Sequence, residues 1–124
     1  MPFIHDTALD ALLADIDDNA EELHICSAEP ADYTEATVTY SLGQKTGLTV
    51  NAPTDRGGGG REIVIPAITD GAVDGDGTAD YWAIVKASAT SRLLAAGDLS
   101  APQVVSDGNT FTLTEFAIGV PDAV

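Results

Sequence analysis

The residues able to do chemistry are few in kind: two histidines, one cysteine, six serines and a large excess of acids in 124 residues. A nucleophilic Ser/His/acid site needs a histidine as base, and the choice is His5 or His24. His5 stands beside Asp6 where a helix should begin, which suits a capping or surface histidine. His24 alternates with Leu23 and Ile25 and is expected to point to the opposite face from them, outward. None of the serines sits in a Gly-x-Ser-x-Gly elbow. Cys26 lies two residues from His24, so a strand puts both on one face, but without the geometry of a nucleophile and its base. The favoured reading of Cys26 is a small, buried, apolar thiol. A single cysteine makes no intrachain disulfide and no thiolate metal site by itself.

For a metal, the candidate stretch is Asp70-Gly71-Ala72-Val73-Asp74-Gly75-Asp76-Gly77-Thr78-Ala79-Asp80. Calcium takes six to eight oxygens, and alternating aspartates on a tight glycine turn can supply them. Asp74, Asp76 and Asp80 are the candidate ligands, yet only Asp74 and Asp76 keep the one-residue gap. The distal Glu of a calcium loop is missing, so a hairpin turn built on Asp-Gly chemistry is favoured. Gly57-Gly58-Gly59-Gly60 is no phosphate cradle: no Lys-Ser/Thr follows it, and a strand rather than a helix comes next. Carboxylate pairs for glycoside hydrolysis are available in number. The aromatic platform that such a site wants is confined to Trp82, Tyr33, Tyr40, Tyr81 and three Phe, mostly at core positions. The chain is expected to be no enzyme and to carry no cofactor.

Charge narrows the partners. Twenty Asp+Glu face five Lys+Arg, a formal net charge of −15. The cations Lys45, Arg56, Arg61, Lys86 and Arg92 form no stripe for phosphates, which argues against nucleic acid. An anionic membrane surface would repel the chain. The acidity serves solubility, or suits a high-salt setting where self-repulsion is screened. The start, Met1-Pro2-Phe3-Ile4-His5-Asp6, has neither the basic region nor the apolar run of a signal peptide. No apolar run nears the roughly 20 residues needed to span a bilayer. A soluble protein made in a cytoplasm is expected.

The elements that must position these residues follow from periodicity. Leu9, Leu12, Leu13, Ile16 and Ala20 recur at steps of three and four, one stripe of a helix over about 6–19. Asp6 or Thr7 can cap its start. Such a helix would cover an open end or face of a sheet, or dock on a partner. From Leu23 the period is two. Strands are predicted at Leu23–Cys26, at Thr37–Leu42 with Val38, Tyr40 and Leu42 on one face, and at Leu48–Val50, Glu62–Ile65, Asp80–Ala87, Arg92–Ala96 and Thr110–Val120. The last has a parity break at Thr114-Glu115, suggesting a bulge or bend. Gly43, Asn51 to Pro53, Asp70-Gly71, Asp74 to Gly77, Gly97-Asp98 and Asp107 to Asn109 read as separating turns. The fold class is mainly β: a single domain over 1–124, an antiparallel sandwich or barrel of about seven strands at about 22–121, with one N-terminal α-helix. The four glycines between Arg56 and Arg61 read as an exposed loop tip, either a tolerated insertion or an arm that orders against a neighbouring subunit.

Four stretches carry a resemblance: Leu23 to Pro30, Tyr40 to Lys45, Val64 to Gly71, and Ser106 to Phe116. Together they resemble a family of small virion structural proteins of tailed bacteriophages and prophages of α-proteobacteria. The likeness runs from the helix to Ile118-Gly119-Val120-Pro121. The longer glycine tip and heavier acidity depart from it. The resemblance implies no catalytic residue. It implies a non-enzymatic virion protein, and a capsid decoration (cement) protein on the outer surface of the head is the preferred role. Its partners would be major capsid protein subunits and further copies of itself. Phe3 and Ile4 would serve as an apolar anchor, and Arg56 and Arg61 as contacts at the loop tip. A tail-tip or fibre-associated domain is the alternative, and a glycan-binding surface module a third, favoured if Trp82 or Tyr81 is exposed.

Overall fold

The computed structural model describes residues 6–55, 60–88 and 90–120. The chain is mainly β and antiparallel. Helix α1 spans Asp6–Asn19, and the described strands are β1 (Glu22–Cys26), β2 (Ser41–Thr46), β3 (Thr54–Asp55), β4 (Arg61–Ile65), β5 (Ile68–Val73), β6 (Gly77–Lys86), β7 (Arg92–Val105), β8 (Thr110–Leu113) and β9 (Phe116–Val120). Six of them form a sheet in the order β7-β6-β1-β2-β5-β8, which curves into a half-barrel. The other three form a small sheet, β3-β4-β9. Among the described residues no helix is long and apolar enough to cross a membrane.

One core joins the helix to both sheets. Leu13 of α1, Leu23 and Ile25 of β1, Ile84 of β6 and Phe111 of β8 pack with Ile63 and Ile65 of β4, all buried. Alternation explains the inward face of each strand: Ile63 and Ile65 point in and Val64 is only half-buried. Two ion pairs fix α1 on this core. Asp10 accepts from Arg61 of β4 at 2.7 Å, and Asp15 from Arg92 at the start of β7 at 2.8 Å. At the C-terminal end of α1, Asn19 donates to the Asp15 carbonyl at 2.8 Å. Lys86 donates to the Asn19 side-chain oxygen at 3.2 Å, bringing a cation to the negative end of the helix dipole beside Asp17 and Asp18.

A second, smaller cluster lies on the outer face of the large sheet. Cys26, Ala83 and Val85 are buried there under Ala36, with Tyr33, Tyr40 and Tyr81 around them. This is where the sequence expectation fails twice. Residues 37–39 form no strand: Glu35–Thr39 is a π-helical turn, Val38 is 73% exposed, and the strand begins only at Ser41. Local bonds outcompete a ladder there. Asp32 accepts from the Glu35 N–H at 2.8 Å, the Glu35 carboxylate accepts from the Ala31 N–H at 2.7 Å, and Thr37 donates to the Tyr33 carbonyl at 2.8 Å. On this same outer face, packed by Ala36 of the turn, His24 does not point into solvent. It is 2% exposed.

Three predicted separators are strand interiors. Gly43 lies in β2, Gly71 in β5 and Gly97 in β7. Each is small because a neighbour presses on it. Gly71 stands opposite Phe111, and a Cβ there would run into the ring. Gly97 stands opposite Trp82, and its Cβ would lie 2.7 Å from the indole. At Gly43 a Cβ would meet the Ala72 carbonyl oxygen. With Gly97-Asp98 inside a strand, β7 runs on to Val105 and far outlasts the predicted Arg92–Ala96. Leu48 and Val50 pack on the core without joining a ladder. The turn after β5 is no hairpin, since β5 and β6 are separated by β1 and β2. It crosses the end of β2, where the Asp74 and Gly75 N–H groups donate to the Leu42 carbonyl at 2.9 and 3.1 Å. The parity break at Thr114-Glu115 is the bend that hands the chain from β8 in the large sheet to β9 in the small one. Nine described strands thus replace the predicted seven: β3 and β5 are added, the last predicted strand divides in two, and 48–50 drops out.

Candidate functional site: a cleft at the open seam of the sheet

The large sheet ends in β7 on one side and β8 on the other, and these two strands follow each other in the chain. They do not pair. They diverge from the turn at 106–109 like the arms of a V. The apex is pinned: the Asp107 N–H donates to the Asp76 carboxylate at 2.8 Å, the Gly108 N–H to the Val73 carbonyl at 2.9 Å, and the Val73 N–H to the Asn109 carbonyl at 2.9 Å. One side chain crosses the narrow end, where the Gln103 amide donates to the Thr112 carbonyl at 2.9 Å.

Further out the arms open into a cleft of about 640 Å³. Its wall on the β7 side is a wide bulge. Tyr81 faces Asp98 and Ala79 faces Gln103, so Leu99, Ser100, Ala101 and Pro102 all stand opposite the single residue Asp80. A bulge of this kind bends a strand away from its partner. Pro102 has no N–H to give to any ladder, in keeping with an edge position. The floor is aromatic: the Trp82 and Phe116 rings touch with centroids 4.8 Å apart, inclined at 39°. Leu99, Ile68 and Leu113 extend the apolar surface. Asp98 and Glu115, both exposed, are the charged residues of the lining, and no cation lies among them. An open, acidic-rimmed, aromatic-floored slot between two unpaired strand edges can bury an apolar side chain, attract a cation and offer main-chain hydrogen bonds.

Elsewhere, the structure makes a relay that alternation hides. His24 Nε2 lies 3.0 Å from the Glu22 carboxylate, and its Nδ1 lies 3.0 Å from the Ser41 hydroxyl. With the proton on Nε2, the ring donates to Glu22 and accepts from Ser41. The connectivity is that of Ser–His–carboxylate catalysis. Burial decides against that use: the imidazole is 2% exposed, and none of the three residues lines the cleft, which opens from the other face of the sheet. Sequence reasoning missed this trio because His24 and Ser41 meet only through the pairing of β1 with β2. Cys26 is inert by the same burial, which pushes its thiol up to about 11, and its S–H points to the Ala36 carbonyl at 3.6 Å.

The other candidates scatter. Asp74, Asp76 and Asp80 are not gathered, and among the described residues no group of three His, Cys, Asp or Glu is placed to hold a metal. Asp76 instead caps the 106–109 turn. Arg61 is held by Asp10 and, at 3.1 Å, by Asp55. These two carboxylates, Asp10 first, hold its guanidinium above its usual range. It thus joins helix to sheet rather than standing at a loop tip. Phe3, Ile4 and Arg56 lie outside the described residues. Trp82 and Tyr81 are half-buried, and of the two only Trp82 lines the cleft. Comparison with protein-family models, with curated proteins and with solved structures gives no match.

Proposed function

We propose that this chain is a non-enzymatic adhesion domain of a tailed-phage particle, acting as a capsid decoration protein on the outer surface of the head. The observation that carries the reading is the open seam. A curved antiparallel sheet that stops short of closure, above an apolar cleft, suits a domain whose task is to hold another protein. The finer reading of the fold is a barrel left open between β7 and β8. The charge of −15 supports a place outside the shell and away from packaged DNA. In this role the domain, made in the host cytoplasm, binds major capsid protein subunits and associates with its own copies at symmetry points. Many copies then make modest single contacts effective. Two measurements test it. Antibody labelling of separated heads and tails should mark heads; marking of tails alone would move the domain to the tail tip or fibres. Heads lacking the protein should release DNA at a lower temperature than complete ones, and equal release temperatures would remove the cement role.

One observation favours a second reading. Trp82 reaches an open cleft flanked by Asp98, Gln103 and Thr112, a setting in which a sugar ring could stack. Saturable binding of a neutral oligosaccharide, seen in the fluorescence of the single tryptophan, would favour a glycan-binding surface module.

A further inference from the structure

We infer that the β7–β8 cleft takes an extended, basic segment of a different protein, with an apolar side chain on the Trp82–Phe116 floor and a Lys or Arg at Asp98 and Glu115. The inference rests on the adhesion reading and names the kind of partner.

Three features select this occupant. The walls are the end strands of the large sheet, so each offers main-chain groups that no described strand takes up. An extended chain meets such an edge with matching spacing. Because β7 and β8 run antiparallel to each other, an added strand can pair antiparallel with only one of them. The other wall then contributes side chains and the bulge, and the floor receives every second residue of the guest. Next, the rim charges are Asp98 and Glu115 with no cation in the lining, in a molecule of net charge −15. A guest bearing carboxylates would be repelled, and a cationic one drawn in. Last, a second copy of this chain is a poor guest. It carries the same net charge of −15, so two copies repel each other, and among the described residues its Lys45, Arg61 and Arg92 already pair with Asp70, Asp10 and Asp15, while its Lys86 binds Asn19. The basic segment is therefore assigned to another protein. Gln103, which bridges to Thr112 at the narrow end, sets how far the guest can enter.

The single tryptophan lies on the floor, so the protein reports its own binding. The probe is a blocked heptapeptide, Ala-Lys-Val-Arg-Leu-Lys-Ala, with a twin carrying Glu at each basic position, and with choline and a neutral hexasaccharide as separate titrations. The basic peptide should change the Trp82 emission saturably, and the twin should not. Asp98→Asn with Glu115→Gln should weaken the basic peptide by about fivefold or more at low salt. Raising NaCl to about 0.5 M should abolish most of the remaining difference between peptide and twin. Both substitutions are at exposed positions, so an unchanged melting temperature shows the variant folded. The inference is overturned if no saturable change occurs by about 5 mM peptide, if the twin binds as well, if the double variant binds unchanged, or if only choline or the hexasaccharide saturates. Particle assays separate it from the reading beneath it. Heads coated equally by wild type and double variant would overturn the cleft and leave decoration standing. A wild-type protein that binds the peptide but is absent from heads would do the reverse.

Discussion

Single residues show how tightly this sheet constrains its glycines. Gly71 lies beneath Phe111, which is buried and has no room to retreat. Gly71→Ala should therefore cost about 1–3 kcal/mol, read from the urea midpoint; an unchanged midpoint would mean that the ring moves freely. The same reasoning applies to the buried relay. His24→Ala removes the bridge between Glu22 and Ser41 and opens a cavity in the outer cluster. A loss of about 2–3 kcal/mol is expected in the same measurement. A variant as stable as wild type would show that the trio is spare and reopen the question of what it does.

Between elements, carboxylates act as clamps. Glu21, just before β1, accepts from the Ala87 N–H at 3.0 Å, the Ser88 N–H at 2.8 Å and the Ser88 hydroxyl, and so ties the 87–88 segment to the sheet. Ser88, through its hydroxyl first, holds the Glu21 carboxyl below its ordinary value of 4.5. Arg92 does the same to Asp15. A carboxyl held low in the fold contributes stability that is complete above its unfolded value and lost as pH falls through the folded one. Protonation of unpaired surface acids acts in the opposite sense by relieving repulsion, so the whole-protein curve mixes the two. Comparison with Glu21→Gln isolates the clamp. The variant should melt below wild type at about pH 6, and the gap should narrow as pH falls below 4.5 and through the lowered folded value. A gap that stays constant with pH would assign the difference to packing.

At the scale of the molecule, unbalanced charge dominates. All four described cations already contact side chains, and among the described residues only Asp10, Asp15, Asp55 and Asp70 pair with a Lys or Arg, in a chain of twenty acids. Surface pairs contribute little, whereas mutual repulsion of the remainder is screened by salt. The melting temperature should rise as NaCl goes from about 10 mM to about 1 M. Failure to rise would mean that the ion pairs at Asp10 and Asp15, which salt weakens, contribute more than the repulsion.

Some of this molecule is written in local sequence. The stripe from Leu9 to Ala20 marks the helix, because side chains three and four apart share one face whatever surrounds them. Alternation marks β1, β4 and β6 for the same kind of reason, the mainly β class follows from it, and the parity break at Thr114-Glu115 marks the bend. Composition sets the charge of −15. What lies over a face is not local, and there the tertiary structure decides. His24 alternates as an outward residue and is buried all the same, on the face where Ala36 of a π-helical turn packs with Cys26, Ala83 and Val85. Gly71 and Gly97 look like turns because glycine frees the backbone, yet they make room for rings on strands that pair with them from far along the chain. The cleft, too, is the product of two strands that separate after a four-residue turn; Pro102 suits an edge, but nothing else within either strand announces that they will not pair.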